Sequence, residues 1–480
     1  MSTARRNKTN FHFIKKLFIL IIIIVSIFSL SVLIYIKLIK ANKVNFPPQI
    51  TKLLSILNLT NNTQSLISTS SLFNLKSLNF QLSHIKSFKI DSGKEQVIQH
   101  SSLKNYSPLF FSIENPNNIP ISPVIVLNNQ NWSSNQAILK TIIPEKSSFT
   151  DEEKAIKIWK YLTNNTTHDH AAIETFPVNS LNNPILLLNQ FGYAFCLNAA
   201  SALANLAELA GLKSRIVHLN KHTVTEIFYN NSWHMLDADM GFYLKNPNGS
   251  IASVKNIHTN PSMLDVISES DLKKTYTSKY SLYRAYSENQ PRSIQSPEEL
   301  LPPNTPNEFI FTLNPKEEIL FYYDWKSEYF WTKYEKVPEN YSNGLLISPT
   351  KIELDPFTSL IKEFKLPYPI LSSYIYSSNL CKTPISIFFS LDNESWTKVE
   401  SLCRNNTIAL SSLFLKGFNA SIINEYYLKF SGLLSTLNLT IFTKFQVAPL
   451  SIPKLKEGNN TIKAISKNYP LNLNFAFILK

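Results

Sequence analysis

The stretch from Phe191 to Asp239, FGYAFCLNAASALANLAELAGLKSRIVHLNKHTVTEIFYNNSWHMLDAD, determines how the whole chain is interpreted. It predicts a helix that begins at Cys196 and ends before Gly211, a residue type favoured just after a helix C-terminus. Three strand-like runs follow, SRIVHL, HTVTEIFY and SWHMLDAD, of which the last two are joined by an Asn-Asn turn. A helix followed by antiparallel strands is typical of an α+β domain.

The same stretch contains the residue types of a thiol nucleophile, its base and an orienting carboxylate. A thiol attacks as its thiolate, and the first turn of a helix, where Cys196 lies, favours negative charge. A two-residue turn at Asn230–Asn231 fixes the register of the hairpin that follows. In that register His222 lies opposite Asp239 and diagonal to Asp237, with all three side chains on one face. The register alone does not choose between the two aspartates.

A second helix is predicted upstream of the cysteine. Thr150 and Glu153 have the spacing of a capping box, in which each residue satisfies a backbone N–H of the other. The apolar residues that follow recur at helical spacing and define one buried face, formed by Ala155, Ile158, Trp159 and Leu162. The motif His168-Asp169-His170 comes after this helix and could offer two metal ligands. We interpret it as a polar loop, because the sequence places no third ligand beside it.

The N-terminal region has the pattern of a membrane anchor. Leu17–Ile36 is a run of 20 uncharged residues, long enough to cross a bilayer as a helix. Five basic residues precede the run and three follow it closely, which predicts that residues 1–16 are cytoplasmic and the bulk of the chain periplasmic or extracellular. The run is longer than a signal-peptide core and no small-x-small cleavage site follows, so a single-pass signal-anchor is favoured over a cleaved signal peptide.

The net charge of +13 comes from scattered Lys and Arg rather than from a basic stripe. We interpret this charge as solvated surface and expect no nucleic-acid partner. The sequence has no glycine-rich phosphate loop and no EF-hand pattern, and we expect no cofactor.

The three cysteines divide into a predicted pair and a single thiol. Cys381 and Cys403 flank a predicted hairpin that turns near Asp392–Asn393. The residue numbers of two residues that lie opposite each other in a hairpin add up to a constant, the index sum, which is 784 for a turn centred on residue 392. The numbers of the two cysteines have this sum, so the cysteines would face each other at a separation that suits a disulfide bond. Cys196 is then the free thiol, as expected for an exported protein. Two buried free thiols are the alternative interpretation of the pair.

Composition divides the rest of the chain into regions. Residues 41–145 are predicted to form a small, mostly β region, and residues 146–271 the α+β domain described above. Residues 272–304 have the composition of a linker with a proline-rich end. Strand-like runs separated by turns in residues 305–480 predict an antiparallel β-sandwich of the jelly-roll or immunoglobulin-like kind.

The central stretch resembles a known family. FCLNAASALANLAELAGLKSRIV, then His222, then EIFYNNSWHMLD are similar to the core of the transglutaminase-like superfamily of cysteine enzymes. The shared elements are a helix that starts at cysteine, a Gly-x-x-x-Arg exit at 211–215, a strand led by histidine, and a Trp-x-x-x-Asp strand at 233–237. The resemblance covers roughly residues 148–245 and implies a transglutaminase-like (papain-like) catalytic core.

The resemblance also implies a role for each residue of the site. Cys196 would be the nucleophile, His222 the base and Asp237 the orienting carboxylate, with Asp239 as the fallback for the last. Gln190 stands six residues before the cysteine, the spacing of an oxyanion-hole glutamine in papain-like enzymes. The implied enzyme is a cysteine-dependent hydrolase or acyltransferase that acts on amide bonds through a thioester.

One position departs from the family pattern and leaves the reaction open. Leu197 follows the cysteine, where protein-crosslinking transglutaminases usually carry an aromatic residue. Hydrolysis, as a peptidase or amidase, is therefore at least as well supported as acyl transfer. The predicted location suggests an envelope protein, peptide or glycopolymer as substrate.

Two other classes of protein fit the sequence. The first is a catalytically inactive transglutaminase-like scaffold whose β-sandwich binds glycan or protein at the cell envelope. Sugar stacking would suit a group of aromatic residues, Tyr322, Tyr323, Trp325, Tyr329 and Trp331, which could equally fill the core of the sandwich. The second is a structural envelope protein with neither activity.

Overall fold

The chain divides into two compact units, Met1–Phe80 and Gln81–Lys480. The computed structural model describes residues of the second unit, namely 84–102, 106–168, 181–268, 279–287, 293–301, 306–325, 343–354, 359–377, 385–399, 407–410, 413–414, 423–431, 437–448, 450–451 and 455–479. The predicted cytoplasmic segment 1–16 and anchor 17–36 lie outside the described residues. Within the described ranges, no helix has both the length and the apolar character that a membrane span requires.

The second unit mixes helices with many antiparallel strands. The described α-helices longer than one turn are α1 (Asn135–Ile142), α2 (Asp151–Asn165), α3 (Cys196–Leu209), α4 (Val254–Thr259) and α5 (Lys279–Ser287). The described strands are β1 (His84–Ile90), β2 (Glu95–Ser102), β3 (Tyr106–Glu114), β4 (Pro123–Leu127), β5 (Thr167–His168), β6 (Tyr193–Ala194), β7 (Lys213–Leu219), β8 (His222–Tyr229), β9 (Ser232–Leu236), β10 (Ser293–Gln295), β11 (Glu318–Trp325), β12 (Asn343–Leu354), β13 (Leu360–Lys365), β14 (Ile370–Ser377), β15 (Ser386–Ser390), β16 (Thr397–Val399), β17 (Thr407–Ala409), β18 (Glu425–Ser431), β19 (Leu437–Val447), β20 (Gly458–Ser466) and β21 (Leu471–Leu479).

The β region draws its strands from both ends of the unit. Its largest sheet has the order β1-β21-β3-β11-β12-β19-β14-β17, and two smaller sheets have the orders β13-β18-β15-β16 and β2-β20-β4. Strands of the predicted region 41–145 therefore share two sheets with strands of the predicted region 305–480. Alternation of polar and apolar residues indicates that a strand is present but not which distant strand it pairs with, so this arrangement was not predicted.

The stretch that contains Cys196 and His222 folds as α3 packed on a separate antiparallel sheet of order β10-β7-β8-β9. Strand β8 is buried on both faces. On one face Ile227 shares an apolar cluster with Leu203 of α3, and on the other Val224 packs in a second cluster with Leu282 of α5. Both β10 and α5 belong to the predicted linker 272–304, so part of that segment is integral to this sheet and its core.

The predicted hairpin in the β region exists, with a different register. Strands β15 and β16 pair Ile387 with Val399, an index sum of 786 rather than 784. The carboxylate of Asp392 accepts backbone hydrogen bonds from Glu394 and Ser395, and these bonds set the turn. Because the observed index sum differs from the predicted one by an even number, each side chain lies on the predicted face of the sheet but opposite a different partner. The predicted disulfide pair, Cys381 and Cys403, lies outside the described residues.

Candidate active site

Local structure places the three predicted triad residues at the ends of their elements. Cys196 begins α3 after the extended residue Phe195, and no side chain caps the helix. His222 begins β8, and the turn after that strand has both Asn230 and Asn231 at positive φ, the two-residue hairpin turn that the sequence predicted. A buried hydrogen bond of 2.7 Å from the hydroxyl of Thr225 to the carbonyl of Ala200 ties β8 to α3. The cysteine helix and the histidine strand are therefore held together.

Asp237 is the carboxylate that holds His222. Its Oδ2 lies 2.7 Å from His222 Nε2, and both side chains are buried. Its Oδ1 accepts the backbone N–H groups of Asp239 at 3.1 Å and Met240 at 2.8 Å. The backbone thus fixes the orientation of the carboxylate, which leaves Oδ2 directed at the imidazole ring.

The thiol lies near the same imidazole. Cys196 Sγ, a ring nitrogen of His222 and a carboxylate oxygen of Asp239 all lie within 4.8 Å of one another. Cys196 is half-buried, so this residue is not sealed inside the core. The described residues therefore contain a Cys-His-Asp group that resembles a catalytic triad and is compatible with a papain-like fold.

The surroundings of His222 favour its charged form. Burial alone would lower the pKa of His222. The negative charge of Asp237 and its hydrogen bond, together with the hydrogen bond and charge of Cys196, raise that pKa well above its usual value. The site therefore favours an imidazolium beside the Asp237 carboxylate.

Asp239 also reaches this cluster and binds a second histidine. Its Oδ2 lies 4.0 Å from His222 Nδ1, and its Oδ1 lies 3.0 Å from Nδ1 of His168. The position of His168 differs from the predicted polar loop, because its side chain is almost fully buried beside the triad. Strand β5, which carries His168, pairs in parallel with β6 just before the cysteine. Each of these strands has only two residues, and they are far apart in the sequence. No sequence pattern therefore predicts that they pair.

Two further residues contact Asp237, and the sequence analysis assigned no functional role to either. The hydroxyl of Tyr286 on α5 donates to Asp237 Oδ2 at 3.1 Å, and the indole of Trp159 on α2 donates to the Asp237 carbonyl at 2.9 Å. Burial, and next the charge of Asp237, raise the pKa of Tyr286 well above its usual value, so its hydroxyl stays a donor. Helical spacing did predict the apolar face that carries Trp159, whereas Tyr286 lies in the predicted linker.

Tyr286→Phe is expected to raise the pKa of His222 further. The change removes one donor from the carboxylate that His222 binds, and a hydrogen bond to a charged group is worth about 1.5–3 kcal/mol. The pKa can be measured by NMR on the chain labelled with 15N-histidine. Tyr283→Phe is the matched control, because the Tyr283 hydroxyl on the same helix donates to Asp265. An equal His222 pKa in the two variants would contradict this role for Tyr286.

Gln190, the predicted oxyanion-hole residue, lies in a turn that contacts the β region. This turn, Leu187–Phe191, is a buried π-helical turn that precedes β6 and the cysteine. An amide N–H of Gln190 donates to the carbonyl of Pro367 at 2.8 Å, and the side chain of Gln446 on β19 donates to the Gln190 carbonyl at 3.2 Å. One N–H of the Gln190 side-chain amide is thus bound to the β region. No side chain caps the first turn of α3, where the backbone N–H groups of a helix lack partners within the helix.

Comparisons with known proteins do not identify a family. No family model matches the chain, and no curated protein matches it. A solved structure titled "CBM4 structure and function" shares 8% identity with this chain and has a TM-score of 0.06. The aligned region covers 35% of this chain and 75% of the solved one. A similarity of that size carries no argument about fold or function.

Proposed function

We propose that this chain is a cysteine-dependent enzyme of the transglutaminase-like superfamily that acts on amide bonds, as a peptidase or amidase or by acyl transfer. The observation that carries the proposal is the position of His222 between two partners. Asp237 binds one ring nitrogen at 2.7 Å, and the thiol of Cys196 lies within 4.8 Å of the ring. A base oriented by a buried carboxylate and adjacent to a thiol is the arrangement that nucleophilic catalysis requires.

In the proposed reaction His222 takes the thiol proton of Cys196, and the thiolate attacks the amide carbonyl carbon. Negative charge develops on the carbonyl oxygen, where the uncapped N–H groups at the start of α3 can stabilise it. The imidazolium then gives its proton to the leaving amine as the C–N bond breaks, which leaves a thioester on Cys196. Water or a second amine attacks the thioester, His222 takes the proton of the attacking group, and the C–S bond breaks.

The proposal includes a location and an architecture. The predicted anchor at residues 17–36 supports a membrane-bound protein with the site outside the cytoplasm, where its substrate would be an envelope protein, peptide or glycopolymer. The antiparallel sheets support a β-sandwich that is built from both ends of the second unit. The inactive scaffold that binds glycan or protein stays a prediction. Tyr329 and Trp331 lie outside the described residues, and of Tyr322, Tyr323 and Trp325 the structure describes only the backbone, in β11.

The proposal is tested by alkylating the full-length chain with iodoacetamide at pH 7 and following the Cys196 peptide by mass spectrometry. A free thiol is only a few per cent thiolate at this pH, so a preformed ion pair should make Cys196 react about 10- to 30-fold faster than a free thiol. His222→Ala is expected to abolish this excess. His218→Ala is the control, because His218 on the neighbouring strand binds Thr223 and Gln295 instead. If Cys196 reacts no faster than a free thiol, and His222→Ala changes nothing, the chain is not the proposed enzyme.

A further inference from the structure

The cluster around the thiol has one carboxylate more than a triad needs. Asp237 already orients His222 through Nε2, which lies 2.7 Å from its carboxylate. Asp239 lies on the other side of the ring, within 4.8 Å of both Cys196 Sγ and a nitrogen of His222. A carboxylate in that position repels a thiolate rather than stabilising it. The proposed reaction therefore gives no reason for this carboxylate to lie beside the thiol.

We propose that Cys196, His222 and Asp239 together bind a thiophilic divalent cation, with Zn²⁺ as the best match, and that the bound cation blocks the nucleophile. Thiolate, imidazole and carboxylate are the ligands that zinc takes in proteins. Zinc bonds of about 2.0–2.3 Å place tetrahedral ligands roughly 3.3–3.8 Å apart, so the three ligand atoms need to approach by about 1 Å. The inhibitory consequence rests on the proposed function, whereas binding of the metal does not.

The hydrogen bonds behind these three residues are those of a metal site. A histidine ligand usually donates its second ring N–H to a carboxylate, and a ligating carboxylate is itself hydrogen-bonded. His222 meets the first condition through Nε2 and Asp237 at 2.7 Å, which leaves Nδ1 for a metal. Asp239 meets the second, because His168 binds its Oδ1 at 3.0 Å while its Oδ2 lies on the His222 side. Both ligands are thus oriented before any metal arrives.

Charge and access agree with reversible binding. Two carboxylates and a thiol share a largely buried cluster, in which a divalent cation offsets charge that would otherwise be costly to bury. Cys196 is only half-buried, so a cation can enter from its side and keep water as a further ligand. Metal binding requires both the Cys196 sulfur and His222 Nδ1 to be unprotonated. The one proton that this pair shares, on the sulfur or on Nδ1, is therefore released to solvent as the sulfur–metal and nitrogen–metal bonds form.

The site is tested by titrating the full-length chain, purified in mild detergent, with Co²⁺ as the spectroscopic probe for Zn²⁺. We expect one equivalent of Co²⁺ to give a thiolate-to-metal charge-transfer band that Zn²⁺ abolishes by displacement. Cys196→Ser should remove the band, and Asp239→Asn should weaken binding by about 10- to 100-fold. Asp91→Asn, at an exposed carboxylate that binds Gln96, is the control and should bind as the wild type does.

A band that is absent, or that survives Cys196→Ser, or an affinity that Asp239→Asn leaves unchanged, overturns the proposed metal site. Equimolar Zn²⁺ should also protect Cys196 from iodoacetamide, and a chelator should restore its alkylation. The two proposals fail separately. Rapid alkylation of the chelated chain without a Co²⁺ band removes the metal site alone. A Co²⁺ band with alkylation at the rate of a free thiol removes the enzyme and keeps the metal site.

Discussion

Asp237→Asn is expected to lower the alkylation rate of Cys196 at pH 7 by about 10- to 30-fold, to the rate of a free thiol. The replacement keeps the size and shape of the side chain but exchanges one oxygen for an NH₂ group. In the wild type Oδ1 accepts two backbone N–H groups, while Oδ2 accepts His222 Nε2–H and the Tyr286 hydroxyl. The Asp237 carboxylate thus accepts four hydrogen bonds, two at each oxygen. An asparagine amide has only one oxygen that can accept, and its nitrogen is a donor.

The consequence for His222 is a change of tautomer. If the asparagine oxygen stays with the backbone N–H groups, its NH₂ faces His222 Nε2, which must become an acceptor. The ring proton then moves to Nδ1, and the nitrogen nearest the thiol can no longer take a proton from it. In serine-protease triads the corresponding replacement lowers kcat by about 10⁴ through the same loss of tautomer. A similar loss of turnover is expected here once a substrate is known.

The comparison that makes this result specific is Asp265→Asn. Asp265 accepts the Tyr283 hydroxyl at an exposed position, so the same chemical change there should leave alkylation of Cys196 at the wild-type rate. Circular dichroism shows whether each variant is folded under the assay conditions. A folded Asp237→Asn protein whose cysteine reacts as fast as that of the wild type would exclude Asp237 as the orienting residue.

The parts of the site that sequence reasoning predicted are those that depend on near neighbours. The capping box at Thr150 and Glu153 is confirmed, because it is an interaction between residues three apart. The start of α3 at Cys196 is also confirmed, although no side chain caps this helix. The hairpin register is also confirmed from Tyr229–Ser232 to Thr225–Leu236, around two asparagines at positive φ. Strand β9 ends at Leu236, so the expected pairing of His222 with Asp239 does not form. From that register the side chains of His222 and Asp237 were expected on one face, and they are hydrogen-bonded.

The parts that were not predicted depend on contacts between distant segments. His168 reaches the site through the pairing of β5 with β6, and Tyr286 reaches it through a helix in what the composition presents as a linker. The turn at Gln190 contacts β19, more than 250 residues later. Each of these segments is short or of ordinary composition, so nothing in the local sequence distinguishes it from a surface loop.

Leu203→Ala is expected to lower the free energy of unfolding of the second unit by about 2–5 kcal/mol. Leu203 lies in the middle of α3, is completely buried, and belongs to the same apolar cluster as Ile158 of α2 and Ile227 of β8. Shortening it removes apolar burial and leaves a cavity between a helix and a sheet that cannot easily close around it. The free energy of unfolding can be measured by urea denaturation of the full-length chain, followed by circular dichroism.

Leu209→Ala is the matched control for this packing. Leu209 is in the same helix but is 42% exposed, so its truncation should change the free energy of unfolding by no more than about 0.5 kcal/mol. The helix that Leu203 anchors also positions Cys196, and Thr225 bonds the same helix to the strand of His222. In Leu203→Ala the helix should unfold at a lower urea concentration than in the wild type. The alkylation rate of Cys196 should therefore fall to that of a free thiol at a lower urea concentration as well. Equal destabilisation by the two leucine variants would show that α3 is not packed through its Leu203 face.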